Sequence, residues 1–196
     1  MANVAAVHKP SYLGLLNAIS LAESAAGVYL EAWAEATPNP ELAGALRLVA
    51  AREKSHGEVF CRRIAELGYE LRHKPDPRAS ERLAKLADPH VSDLDKIPAR
   101  NAEETDPFAD IRRRMAEGEF DAMTANLMNW YIAEEKDSAR RLTEAYDCVR
   151  AAAGQGRRAS DKADQPRADA EAIMACMTAG FARLEKAMEK LAKARK

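Results

Sequence analysis

The sequence predicts an all-α protein, a four-helix bundle built from two antiparallel helical hairpins and a long crossover. Apolar residues recur every three or four positions along several long segments, which is the period of an amphipathic helix. Gly and Pro are few, nine of each among 196 residues, whereas Ala, Leu, Glu, Lys and Arg abound and favour helix over strand. A polar stretch rich in proline separates the two pairs of helices.

The first hairpin is predicted over about residues 11–68. Its first helix is expected to start at Ser11, which suits an N-cap, and to run to about Ala36, where a Thr-Pro-Asn-Pro run stops it. Within that run Asn39 is a good cap, and Pro40 fits the first turn of the next helix. The second helix is expected to end at the glycine that closes the hairpin. The short connection makes the two helices antiparallel neighbours.

A crossover is predicted over about residues 69–118. Four prolines between residues 72 and 106 break any long helix, and polar residues dominate there. A connection of this length lets the chain travel the height of the bundle, with a short helix expected over about 78–87. A further helical start at Asp106 leads to Gly118, which ends the crossover.

The second hairpin is predicted over about residues 119–195. Its first helix is expected to be closed by the Gly-Gln-Gly run at 154–156. After a polar loop, Pro166 opens a last helix that continues almost to the end of the sequence. The chain is therefore expected to be a single domain over residues 1–196.

The charge balance and the cysteines exclude several classes of function. Thirty basic and thirty-one acidic side chains nearly cancel, so neither nucleic acid nor a membrane is expected as a partner. Cys61, Cys148 and Cys176 are far apart and are expected to be buried thiols rather than zinc or redox pairs. Residues 1–10 lack a basic leader and an apolar core, and no stretch approaches the roughly 18 to 20 apolar residues of a membrane span. A cytoplasmic protein is expected.

Three of the predicted helices carry an acid in the middle of an otherwise apolar face. Glu53 and His56 lie three residues apart on the second helix and therefore share that face. Glu23 holds the corresponding place on the first helix, and Glu135 holds it on the third. Burying an ionised carboxylate without a partner costs several kcal/mol, so converging acids require a cation, a proton or a hydrogen-bond network. A metal ion would meet that requirement.

The register of the third helix allows a second choice of residues. Glu134 and Asp137 also lie three apart, and a shift of one residue would exchange them for Glu135 and Ser138. Glu135 is preferred because it continues the apolar stripe, whereas Glu134 is expected to be more exposed. Tyr131, one turn before Glu135, is expected either to pack in the core or to donate a hydrogen bond near a metal.

These residues and their order resemble the ferritin-like superfamily, and in particular its rubrerythrin-type branch. The resemblance rests on Glu23, Ala51-Arg-Glu-Lys-Ser-His56, Glu134-Glu-Lys-Asp-Ser138 and the succession of hairpin, crossover and hairpin. It implies a ferritin-like four-helix bundle that binds iron or manganese for ferroxidase, peroxidase or oxygenase chemistry.

The resemblance also assigns roles to single residues. It implies that Glu23 is a terminal ligand, Glu53 a bridging ligand, His56 a nitrogen ligand and Glu135 the terminal acid of a second metal. On the last helix, Cys176 and Ala179 stand where the remaining Glu and His are expected. One ion is therefore expected rather than two, and zinc fits the same donors as iron and manganese.

Two hypotheses of different class remain open. The first is an iron- or manganese-dependent oxidoreductase acting on oxygen or peroxide through a degenerate site, with an unidentified electron donor. The second is a metal-free ferritin-like bundle that acts as a binding or structural module. A homodimer is expected in either case, and Trp33 and Trp130 are interpreted as core or dimer-interface anchors.

Overall fold

The computed structural model describes residues 9–98 and 106–158, and within these ranges every regular element is a helix. Three helices are long and three short ones lie in the crossover: α1 (Leu13–Ala36), α2 (Pro40–Glu66), α3 (Ala79–Ala87), α4 (Asp93–Lys96), α5 (Ala109–Ala116) and α6 (Ala122–Arg158). The predicted all-α class is confirmed. The predicted last helix, which would begin at Pro166, lies outside the described residues.

Helix α2 runs antiparallel to both of its long neighbours. Arg63 near the end of α2 binds Thr124 near the start of α6, and Arg52, three turns earlier in α2, binds further along α6. Helices α1 and α6 run parallel, because the residue before α1 bonds the residue before α6, and Glu23 further along α1 bonds Tyr131 further along α6. These are the directions expected when a crossover joins two hairpins.

The ends of the first hairpin follow the sequence prediction with one exception. Asn39 caps α2 by accepting hydrogen bonds from the first backbone N–H groups of that helix, and Gly68 ends the hairpin at a φ of +83°. The predicted cap of α1 by Ser11 is wrong. Helix α1 begins after Tyr12 without a side-chain cap, and the Ser11 hydroxyl donates instead to Glu119 before α6.

Helix α6 is longer than predicted. It begins after Asp121, whose carboxylate accepts the N–H groups of the first turn, and it continues through Gly154 and Gly156 to Arg158. The predicted stop at the Gly-Gln-Gly run is therefore wrong. A glycine in a helix costs only about 1 kcal/mol relative to alanine, and no proline follows closely to enforce a stop.

The crossover is attached to α1 at both ends of that helix. Asn17 near the start of α1 exchanges two hydrogen bonds with the backbone of Arg72. At the other end, Asp93 of α4 accepts hydrogen bonds from the Trp33 indole and the Thr37 hydroxyl, each at 2.7 Å. The predicted short helix is confirmed as α3, and α4 was not foreseen. The crossover thus runs the length of the bundle along α1.

The bundle has two apolar cores, one near each end of α1. The first includes Leu16, Ile19, Phe60, Phe108 and Tyr131. The second includes Trp33, Leu42, Leu46, Leu142 and Tyr146. Trp33 is thus a core anchor, which was one of the two interpretations offered for it from the sequence. Glu23, the acid that interrupts the apolar stripe of α1, lies between the two cores and therefore midway along the bundle.

Two expectations from the sequence are corrected by the structure. Cys148 is exposed and Cys61 is half-buried, so the expectation of buried thiols is wrong for Cys148; Cys176 lies outside the described residues. Helix α1 is also long and apolar enough, by length and composition alone, to cross a membrane. In the structure it carries the buried Glu23 and packs along α2, as a core helix of a bundle does.

Candidate metal centre

The four site residues predicted from the sequence converge between the two cores. Glu23 comes from α1, Glu53 and His56 come from α2, and Glu135 comes from α6, and none is more than 3% exposed. One potential ligand atom from each lies within 4.8 Å of all the others. The structure therefore brings together three carboxylates and one imidazole in the interior of the bundle.

Two glycines allow α1 and α2 to approach closely enough for this convergence. A Cβ at Gly57 would lie 3.0 Å from the backbone nitrogen of Ser24 and 3.1 Å from the carbonyl oxygen of Ser20. A Cβ at Gly27 would lie 3.0 Å from the carbonyl oxygen of Ala50. The Ser20 hydroxyl adds a 2.7 Å hydrogen bond to the carbonyl of Gly57. The two backbones are thus in contact on both sides of the α1 carboxylate.

The cluster holds an unusual concentration of buried polar atoms without hydrogen-bond partners. Among the described residues five buried side-chain nitrogen or oxygen atoms lack a partner. Four of them belong to the cluster: Glu23 Oε2, Glu53 Oε2, His56 Nδ1 and Glu135 Oε1. Native interiors contain few such atoms, because each costs about 1–3 kcal/mol. Four of them around one point fit a bound cation.

The contacts of His56 support this interpretation. Its Nδ1 lies 3.0 Å from Glu135 Oε1 and 3.7 Å from Glu53 Oε2. The contact with Glu53 is too long for a hydrogen bond, and the contact with Glu135 is short enough but misaligned with the N–H of the ring. Ligands that share a cation also face one another closely without forming hydrogen bonds, and the imidazole and the two carboxylates have this arrangement.

Two other polar atoms of the cluster have hydrogen-bond partners at its rim. The Tyr131 hydroxyl donates to Glu23 Oε1 at 2.7 Å. This residue was expected either to pack in the core or to donate a hydrogen bond, and it donates one. Nε2 of His56 is hydrogen-bonded to Glu134 Oε2 at 3.0 Å. Each of these side chains therefore has one end held by the protein and one end left toward the centre.

The structure also decides between the two possible registers of α6. Glu135 is 1% exposed and faces the cluster, whereas the side chain of Glu134 is 32% exposed and contacts only the outer nitrogen of His56. Asp137 lies outside the cluster, bound to the guanidinium groups of Arg52, Arg140 and Arg141. The preferred choice of Glu135 is therefore the one that the fold places inside.

Burial and mutual repulsion hold protons on the cluster. Desolvation, together with the neighbouring Glu53, raises the pKa of Glu23 well above its usual range. Burial likewise raises the pKa of Glu135 to about 7. Burial alone would lower the pKa of His56, but the carboxylates of Glu135 and Glu53 outweigh it and raise that pKa to about 10. Without a metal the site is thus partly protonated, and a cation would displace those protons.

Aromatic rings enclose the site around His56. The imidazole makes edge contacts with Trp130 and Tyr131 at ring-centroid distances of 5.0 and 5.2 Å. Phe60 and Phe108 pack in turn against Tyr131. Trp130 is 38% exposed and covers the outer side of the imidazole, so it is not a core anchor. Its interpretation as a dimer-interface residue stays a prediction.

The sequence did not predict that Glu134 and Trp130 contact His56. Both contact His56 across the gap between α2 and α6, and the interacting residues lie more than 70 positions apart. The stripe on α6 identified which residues face inward, but it carried no signal for side chains at the edge of that stripe. Only the lateral position of α6 against α2 brings the two residues to the imidazole.

A family model described as Rubrerythrin matches residues 14–146. The match begins in the first turn of α1, includes the crossover and ends in α6, so it contains all four residues of the cluster. No curated protein and no solved structure matches the chain.

Proposed function

The chain belongs to the rubrerythrin family, and from that premise we propose that it is an oxidoreductase that holds one iron or manganese ion and acts on dioxygen or peroxide. Its bundle is of the ferritin-like type. The proposed ligands are Glu23, Glu53, His56 and Glu135. An external electron donor and a homodimer belong to the same proposal.

The observation that carries the proposal is the group of four unpartnered buried atoms. Three carboxylates and one imidazole are donors that suit iron, manganese and zinc. The three negative charges of the carboxylates balance the charge of a trivalent ion and leave one net negative charge with a divalent ion. The cluster therefore stabilises the oxidised form of a redox-active metal. Zinc fits the donors but has no redox chemistry, which is why iron and manganese are preferred.

The protein's own residues position the ligands and keep water away. Tyr131 occupies one oxygen of Glu23 and leaves Oε2 directed to the centre. Phe60 and Phe108 pack around that tyrosine and make the adjoining wall apolar. When bound, the metal supplies redox chemistry with dioxygen or peroxide at a coordination position that the protein leaves open.

A single ion matches the ligands better than a pair. The described part of the chain supplies four ligand groups, enough for one ion with open positions. The positions expected to complete a second site are Cys176 and Ala179, which carry neither a carboxylate nor an imidazole. Both lie outside the described residues, so this step of the proposal rests on the sequence.

Elemental analysis of untagged protein, purified without chelator, tests the proposal. We expect about one equivalent of iron or manganese per chain, lost in His56→Ala and in Glu53→Gln. His73→Ala is the matched control, because this exposed histidine lies in the crossover and should leave the metal content unchanged. The rate at which peroxide oxidises the ferrous-loaded protein should be proportional to the metal content in the wild type and the three variants.

Absence of metal even after loading with ferrous iron or manganese would overturn the proposal. If His56→Ala then changed only the stability of the protein, the cluster would be an ion-paired network in which the imidazolium balances the carboxylates. That outcome would favour the second hypothesis, a metal-free bundle that acts as a binding or structural module.

A further inference from the structure

Two consecutive acids of α6 contact opposite nitrogens of one imidazole. Glu135 Oε1 lies 3.0 Å from Nδ1 of His56, and Glu134 Oε2 lies 3.0 Å from Nε2. Glu135 is buried with its oxygen unpartnered, whereas Glu134 reaches solvent and has no unpartnered buried oxygen. The two acids therefore serve the imidazole differently, and only Glu135 faces the candidate metal centre.

A histidine that binds a metal through one nitrogen normally donates the N–H of the other nitrogen to a carboxylate or a carbonyl. That second contact fixes the tautomer and the orientation of the ring. In this protein Nδ1 faces Glu53 and Glu135, and Nε2 faces Glu134. We propose that Glu134 is a positioning residue that accepts the Nε2–H of His56 and thereby reserves Nδ1 for the metal; this inference rests on the proposed function.

The other contacts of the ring do not make this choice. Trp130 and Tyr131 meet the imidazole edge-on from neighbouring positions, at interplanar angles of 84° and 86°. Such contacts restrict the ring plane, but they do not determine which edge of the ring faces Glu134. A half-turn of the ring about the Cβ–Cγ bond would keep both aromatic contacts, but it would put Cδ2 in the place of Nδ1 and Cε1 in the place of Nε2. The hydrogen bond to Glu134 is the contact that distinguishes these two orientations.

The reach of Glu134 is fixed by a neighbouring link between the same two helices. One turn further along α6, Asp137 binds Arg52 of α2 at 2.8 Å, and Ser138 lies 3.3 Å from the same guanidinium. This link holds α6 against α2 close to the imidazole. Because the spacing of the helices is set there, the length of the Glu134 side chain determines where Nε2 is held.

Zinc titration of three variants tests the proposal, with zinc as a diamagnetic probe. Glu134→Ala removes the acceptor and should weaken zinc binding about 10- to 100-fold, the usual effect of losing an outer partner of a metal-binding histidine. Glu134→Gln keeps an acceptor oxygen without the charge and should weaken binding less. Glu144→Gln is the matched control, an exposed acid of α6 bound to Arg140 instead, and should bind zinc like the wild type.

NMR of the imidazole provides a readout that a general loss of stability would not move. In the zinc-loaded wild type, long-range ¹H–¹⁵N correlations should show the proton of His56 on Nε2 and zinc on Nδ1. In zinc-loaded Glu134→Ala we expect additional signals from a second ring orientation in which Nδ1 does not bind zinc. Retention of the wild-type pattern in Glu144→Gln would confirm that the effect is specific to Glu134.

The possible failures are distinguishable. If the wild type binds zinc and Glu134→Ala binds it equally tightly, or if zinc is bound through Nε2, this inference is wrong and the proposed function stands. If the wild type binds neither zinc nor iron nor manganese, the proposed function and this inference both fall. Should Glu134→Ala not fold, the comparison of Glu134→Gln with Glu144→Gln decides in the same way.

Discussion

Two polar clusters join the three long helices, and they differ in whether their hydrogen bonds are complete. At one end of the bundle, Asp121 accepts hydrogen bonds from Tyr12, Arg63 and Thr124, and Arg63 also donates to the Thr124 hydroxyl at 2.9 Å. We call these four residues the end cluster. It has no buried side-chain atom without a partner, whereas the candidate metal centre has four.

The two clusters also treat their carboxylates in opposite ways. Burial tends to raise the pKa of Asp121, but hydrogen bonds from Thr124 and Tyr12 and from the Arg63 guanidinium hold that pKa well below its usual range. In the candidate metal centre burial prevails, and the pKa of Glu23 is raised well above its usual range. The end cluster therefore stabilises the protein by itself. The candidate metal centre is expected to stabilise the protein only when a cation is bound.

The largest expected effect is that of metal on stability. At a free manganese concentration roughly 100 to 1,000 times the dissociation constant, the free energy of unfolding of the wild type should rise by about 3 to 4 kcal/mol. Glu53→Gln should lose this gain, because it removes a ligand charge from the centre. Its metal-free form should be at least as stable as the wild type, since one of several repelling acids is gone. Urea unfolding with and without manganese measures both the gain from the metal and the stability of the metal-free protein.

Substitution of the end cluster should give the reverse pattern. Asp121→Ala removes the cap of α6 and leaves the donors of Tyr12 and Thr124 without an acceptor. We expect a loss of about 2 to 3 kcal/mol in the free energy of unfolding, with or without manganese. The gain from manganese should stay as in the wild type. A reduced gain in this variant would show that the two clusters are coupled and would contradict the comparison.

The close approach of α1 and α2 offers a third test. In Gly57→Ala the added methyl group would press on the backbone of α1 at Ser20 and Ser24, and we expect a loss of about 2 kcal/mol in stability together with weaker manganese binding. Gly44→Ala is the matched control on the same helix, because a Cβ there meets nothing within 4 Å. It should stabilise the protein by about 0.5 to 1 kcal/mol. Equal effects of the two substitutions would rule out the tight crossing as the cause.

The smallest effect concerns acid stability beside the end cluster. Hydrogen bonds from the Arg114 guanidinium hold the pKa of Glu119 at about 2, below its ordinary 4.5. Because the folded pKa is the lower one, this contribution is complete above about pH 4.5 and is lost as the pH falls toward 2. Solvent screening keeps it below about 1 kcal/mol. Glu119→Gln should therefore flatten the fall of the unfolding free energy between these pH values, and an unchanged slope would contradict the assignment.

The residues of the candidate metal centre were predictable because helical periodicity places them on inward faces. Glu53 and His56 interrupt an apolar stripe at a spacing that keeps them on one face, and the same count identifies Glu23 and Glu135 on their own helices. A buried acid on an apolar face is a strong local signal, since it needs a partner in any fold. The choice of Glu135 over Glu134 depended on the same stripe.

Contacts between helices were not predictable in this way. The hydrogen bond from Trp33 to Asp93 creates the docking of α4, and nothing near Asp93 in the sequence marks it as a partner of α1. Likewise, α6 continues through Gly154 because the preceding helix is already formed, so local propensity was overridden there. The prediction of Ser11 as a cap is wrong because its hydroxyl donates to Glu119, a distant partner that the local sequence does not indicate.

The side chains in and around the candidate metal centre are widely separated along the chain, and this separation bears on the order of folding. His56 and Glu134 lie 78 residues apart, and Glu23 and Tyr131 lie 108 apart. Contacts of such range form only after the entropy of closing a long loop has been overcome. The first hairpin alone can present only an incomplete set of the proposed ligands, so an ion bound by them would not nucleate the fold. Metal uptake should therefore follow the docking of α6, and its rate should report the completion of the native topology.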